Sequence, residues 1–96
     1  MKFLAIESEI PGVNWEFKAN LLKEEAQSVY KLLLANVLRE VYFNDQKNAV
    51  LILECNNKAT ALQTLAQLPL VQNGYITFNL MELQPYSGLS RLMDSH

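Results

Sequence analysis

Apolar residues follow two rhythms along this chain, and the changes between them mark out the elements. Lys2 to Ser8 (KFLAIES) is apolar on both parities through Phe3, Leu4, Ala5 and Ile6, which predicts a short strand in the interior of a sheet. Pro11-Gly12 ends it as a turn, and the segment to about Ala19 has no clear period. From about Asn20 to Ala35 the residues Leu22, Ala26, Val29 and Leu33 step by four, three and four, with Lys23, Glu24, Gln27 and Lys31 on the other side. That is an amphipathic helix, with Asn20 placed to cap its start and Asn36 its end.

Val37 to Cys55 (VLREVYFNDQKNAVLILEC) then predicts two apolar strands joined by a polar turn, Asp45 to Asn48. A loop of these four residues sets Asn44 against Ala49, Phe43 against Val50, Val41 against Ile52 and Arg39 against Glu54. Side chains alternate along a strand, so Arg39, Val41, Phe43, Val50, Ile52 and Glu54 share one expected face. Leu38, Glu40, Tyr42, Leu51, Leu53 and Cys55 share the other. Both faces are apolar, and each needs a cover.

Asn56-Asn57 offers a cap for a shorter helix, Lys58 to about Gln67, with Ala59, Leu62, Leu65 and Ala66 as its expected inner face. Pro69 limits that helix, Gly74 makes a break, and Tyr75 to Leu83 reads as the last strand. The tail from Pro85 carries Tyr86, Leu89, Leu92 and Met93, which is too much apolar surface to leave in water. Residues 85–96 are expected to dock on something.

The order strand, helix, strand, strand, helix, strand, with right-handed crossovers, gives an α+β domain over 1–96. It is the ferredoxin-like βαββαβ arrangement: a four-stranded antiparallel sheet with both helices on one face. The other face is left bare although it is apolar. A second copy on a two-fold axis would cover it, so a homodimer is expected, with higher assemblies open.

Charge and composition remove several function classes. The net charge is -2, and the eight basic residues are scattered without a stripe for a phosphate backbone, so nucleic acid is not an expected partner. The third strand, AVLILE, is aliphatic where an RNA-recognition motif places aromatic residues. Apolar runs fall far short of the roughly 20 residues of a membrane helix, and Lys2 followed by Phe3 to Ile6 is too short for a secretory signal. A cytoplasmic protein without a membrane partner is expected. Cys55 is the only cysteine, so no Cys-x-x-Cys metal or redox motif exists. Glu7, Glu9 and Glu82 read as solvated rather than as metal ligands. No metal and no cofactor are expected.

The pattern resembles the dimeric α+β barrel superfamily, in which two ferredoxin-like subunits pack sheet to sheet, and within it the muconolactone isomerase-like and YciI-like small proteins. The pieces that carry the likeness are MKFLAI, VLREVYF, AVLILE and LPLVQNGYITFNLMELQPYSGLSRL, about two thirds of the chain. The resemblance implies a dimer with a small-molecule pocket. It implies no single activity, since such proteins include isomerases, cofactor-free oxygenases, dehalogenase-like proteins and many without an assigned role. YciI-like members are associated with a His and Asp pair, and the only histidine here is His96, so that chemistry does not carry over.

Arg39 and Glu54 read first as a cross-strand ion pair, and alternatively as an anion holder and a proton carrier. Glu40, if it lies under the helices beside Tyr42, becomes a candidate general base; at a sheet edge it is merely hydrated. Trp15, Phe17, Tyr30, Tyr75 and Tyr86 are either core aromatics or the lining of an apolar pocket, with Trp15, Tyr42 and Tyr86 the ligand-binding candidates. Two functions follow. One is a dimer that binds a small anionic or aromatic metabolite, with cofactor-independent proton transfer if it is an enzyme. The other is a non-catalytic ligand-binding or assembly dimer.

Overall fold

Polar punctuation sets the element boundaries. The computed structural model describes residues 1–93, so His96 lies outside the described residues. The chain forms β1 (Lys2–Glu9), α1 (Ala19–Leu34), β2 (Leu38–Phe43), β3 (Ala49–Glu54), α2 (Lys58–Ala66), a short α3 (Pro69–Gln72), β4 (Ile76–Leu83) and a 3-10 segment, Ser87–Leu92. Lys18 rather than Asn20 occupies the cap position of α1. At its other end Asn36 takes φ 61°, while its N–H donates to Leu33 O and that of Val37 to Leu32 O. This paired closure satisfies carbonyls that the helix would otherwise leave open. Gly74 closes α3 in the same way, with φ 74° and bonds from its own N–H to Val71 O and from Tyr75 N–H to Leu70 O. Asn57 caps α2 as expected, accepting from Thr60 N–H at 2.8 Å.

The sheet is antiparallel in the order β2-β3-β1-β4, which leaves β2 and β4 as edges and β1 inside. Phe3, Ala5, Leu38, Leu51, Leu53 and Leu80 face the helices and pack with Ala61, Leu65 and Leu68. Fully burying a Leu or Phe stabilises the fold by about 1.5–3 kcal/mol, so these residues hold the domain together. The inner face of α2 is therefore Ala61 and Leu65, not the expected Ala59, Leu62 and Ala66, which are exposed. A helix rich in alanine marks its buried side weakly.

The hairpin differs from expectation by one residue. Asn44, not Asp45, closes the loop: its N–H donates to Asn48 O, and its side-chain oxygen accepts from Gln46 N–H and Asn48 N–H. The loop is then Asp45-Gln46-Lys47, with Lys47 in the left-handed region at φ 63°, a common three-residue hairpin. Val41 pairs with Leu51, Tyr42 with Val50 and Glu40 with Ile52, which exchanges the expected faces of β2 relative to β3. A bulge at Arg39 shifts the ladder again, so that Leu38 meets Leu53. Arg39 and Glu54 are thus not cross-strand partners.

The face away from the helices presents Leu4, Ile6, Val50 and Ile52, flanked by Tyr42 and Met81, with none of the described residues over it. Beyond β4 the chain does not turn back either. The molecule measures 64 × 27 × 20 Å with a radius of gyration of 16.3 Å, against about 12.5 Å for a compact chain of this length. No helix among the described residues is long and apolar enough to cross a membrane.

Candidate functional site

Helix α1 stands off from the sheet. It has no fully buried residue, and between it and the sheet lies a cavity of about 550 Å³, within the usual size range of small-molecule sites. Leu22, Ala26, Val29 and Leu33 form one wall, and Val41, Phe43, Ala49, Leu51 and Phe78 form the other. Leu70 adds to the lining from α3. Trp15 and Tyr30 stand at the rim, Trp15 meeting Tyr75 edge-on with ring centroids 5.8 Å apart. Lys18 holds its ammonium 5.0 Å from the Tyr75 ring centre, a cation–π contact that ties the α1 start to this corner.

Two half-buried carboxylates enter this apolar space from opposite walls. Glu7 lies on β1 with the parity of Phe3 and Ala5, opposite Phe78, and accepts from Ala49 N–H at 3.3 Å. Glu25 lies on the α1 stripe, three residues after Leu22 and four before Val29, and accepts from Leu70 N–H at 3.0 Å. Burial raises the Glu7 carboxyl; the Ala49 amide opposes this, and the charge of Glu9 adds to the rise. Burial likewise raises Glu25, against the Leu70 amide, and the charge of Glu7 adds to it. Such a pair is suited to holding and passing a proton. Glu9 and Lys47 also line the cavity, so its charge is predominantly acidic.

The pKa directions have a consequence for stability. Both groups bind protons more tightly in the folded chain, so their desolvation penalty is fully present above the raised values and is relieved as pH falls towards 4.5. Glu54 is shifted down, so its favourable contribution is lost only below 4.5. Tm is therefore expected to rise as pH falls from about 7 to about 5, and a Glu7→Gln/Glu25→Gln variant should flatten that rise. A rise unchanged in the double variant, measured by calorimetry, would place these carboxylates in water.

The residues singled out from the sequence are dispersed. Trp15 and Tyr30 line the cavity, Tyr75 supports Trp15, and Phe17 projects into solvent. Glu40 and Tyr42 lie on the open sheet face, not under the helices, and Tyr42 O–H donates to Glu40 Oε1 at 2.6 Å. That bond to a carboxylate raises the Tyr42 hydroxyl pKa. Arg39 donates from Nε to Asn36 O at 2.7 Å. Glu54 sits at the far end of the sheet, paired with the Met1 ammonium at 2.6 Å; that bond holds its carboxyl down, the Arg39 and Lys2 charges assisting. Tyr86 follows β4, remote from the cavity. Cys55 is buried, which pushes its thiol up and leaves it unreactive. Glu7 and Glu25 were the pair to find, and the signal was in the pattern: each is a carboxylate on an otherwise apolar stripe.

No family model and no curated protein matches the chain. Solved structures do. Muconolactone isomerase superposes with a TM-score of 0.73 over 91% of this chain and 94% of its own, at 18% identity. The 5-chloro-2-hydroxyhydroquinone dehydrochlorinase of Burkholderia phenoliruptrix, in complex with 2,5-dihydroxybenzoquinone, gives 0.61 over 88% of this chain and 94% of its own, at 12% identity. The likeness is one of fold, a four-stranded antiparallel sheet with its helices on one face. At such low identity the muconolactone isomerase-like fold fixes the frame in which the cavity sits and leaves the activity to the residues lining it.

Proposed function

We infer that the cavity between α1 and the sheet binds a small, largely apolar, cyclic metabolite and that Glu7 and Glu25 move protons on it without a cofactor. The observation that carries this is the placement of two carboxylates of raised proton affinity on opposite walls of an apolar cavity. In such a step one carboxylate takes a proton from carbon beside a carbonyl. The other, protonated beforehand, delivers one elsewhere on the conjugated system, so the charge of the site is unchanged. Both structural neighbours carry names of small cyclic compounds, in keeping with this class. Of the anionic or aromatic ligand expected from sequence, Glu9 beside the pair favours a neutral hydroxylated or keto ring over an anion, because Lys47 is the cavity's only basic residue among those described.

The working unit in this proposal is a homodimer, with the open sheet face as its seam and Glu40 and Tyr42 inside it. A cytoplasmic setting suits the free, buried Cys55. The open apolar face also supports the second reading, a dimer that assembles without catalysing.

Thermal unfolding across a panel of hydroxylated aromatics, lactones and keto acids tests the function. A ligand at about 100 times its Kd stabilises the native state by about 2.7 kcal/mol, equivalent to several degrees in a domain of this size. The expected result is a shift for neutral cyclic compounds that Glu25→Leu abolishes. A shift that persists in Glu25→Leu and Glu7→Leu places the ligand elsewhere, and no shift across the panel favours assembly.

A further inference from the structure

Besides the open sheet face, two apolar surfaces are left uncovered by the described residues, and they lie at opposite ends of the sheet. One is the arm after β4, where Tyr86, Leu89, Leu92 and Met93 are exposed, the last two at 80% and 83%. The other is the rim of the cavity, where Phe43 is 76% exposed and Tyr30 60%. The arm leaves the end of the sheet at which Leu83, Lys2 and Glu54 lie side by side. The rim belongs to the other end, with Phe43, Ala49, Glu7 and Phe78. Eight-residue strands separate the two ends by about 26 Å, and the arm lengthens the molecule to 64 Å rather than folding back. An arm directed this way does not meet its own rim.

The arm is nevertheless shaped. Ser90 Oγ donates to Ser87 O at 2.7 Å and Met93 N–H to Ser90 O at 3.0 Å, while the Tyr86 ring folds over Gly88, where a Cβ would run into it. Its only charge among the described residues is Arg91. The rim and the cavity behind it carry Glu7, Glu9 and Glu25 against Lys47. Apolar surface and charge are therefore complementary between the arm and the opposite end of the same molecule.

We propose that in the homodimer the arm of each chain, Pro85–Met93, docks across the cavity rim of the second copy and closes it, so that each site is completed by both chains. This rests on the dimer reading above and selects one geometry for it. When two sheets meet on their open faces, the two-fold axis lies in the seam, along the strands or across them. An axis along the strands brings the two arms together at one end. An axis across them reverses one sheet and brings each arm to the other chain's rim. Docking then covers the exposed rings of Phe43 and Tyr30 and sets Arg91 near an acidic group.

The test mixes two full-length single variants, Phe43→Cys with a mass label and Leu92→Cys without, and treats them with a short bis-maleimide; buried Cys55 makes the wild type the control. The expected product is the mixed cross-link between the two chains, lost when Leu89 and Arg91 are replaced by Ser and Glu in the arm-bearing chain. Sedimentation of the same samples separates the outcomes. A dimer that yields no mixed product, or that links Leu92→Cys to itself, overturns arm docking while leaving the dimer. A monomer overturns both.

Discussion

Leu53→Ala is expected to lower stability by about 2–5 kcal/mol, a large part of the 5–15 kcal/mol typical of a domain. Leu53 has 0% exposure at the centre of the helix-side layer, between Phe3 of β1 and Leu38 of β2 and above Ala61 and Leu65 of α2. Removing its isobutyl group leaves a void among residues from two strands and a helix that cannot all move inward together. Urea unfolding measures the change. A loss under 1 kcal/mol would mean that α2 sits as loosely on the sheet as α1 does.

Its neighbour Ile52 points the other way, and Ile52→Asp should leave the chain folded but monomeric. Ile52 lies between Leu4 and Glu40 on the open face, which none of the described residues covers. In a single chain the new carboxylate meets water and costs little. In a seam between two sheets it would be an unpaired buried charge on each side of the axis, which is strongly unfavourable. Sedimentation velocity at micromolar concentration, with far-UV circular dichroism as the check on folding, reads the outcome. A dimer of undiminished affinity would move the seam off this face.

Much of the frame was legible in the sequence because each strand and helix obeys its own period. KFLAIES reads as an inner strand and becomes one, paired with β3 on one side and β4 on the other, and Asn36 and Asn57 cap helices where the punctuation put them. The hairpin register was not legible. Asn44 closes the loop with its own side chain, one residue earlier than the turn residues suggest, and a shift of one exchanges faces. Glu40 thereby lies with Ile52 on the open face, Val41 joins Leu51 on the helix side, and Arg39 loses Glu54 as its partner.

Half of the site was hidden for a different reason. Trp15 could be read as a pocket aromatic because Trp is rarely left in water, but Glu7 reads as a solvated acid and Glu25 is not singled out. Their meaning depends on the cavity between α1 and the sheet, which α1, α3 and the strands line together and which no periodicity reveals. The tail was legible as a surface in need of a partner. Its direction, away from its own rim, was not.

Because Trp15 is the only tryptophan and lines the cavity, its indole N–H signal reports whether a molecule enters. An NMR titration with a compound that raises Tm should shift that signal and the Ala49 and Leu70 amides, which donate to Glu7 and Glu25. Saturation of these three together, with the Thr77 and Asn79 amides of the open face unmoved, is the result expected of a ligand between α1 and the sheet. Movement confined to the open face would contradict it and move the site to the seam.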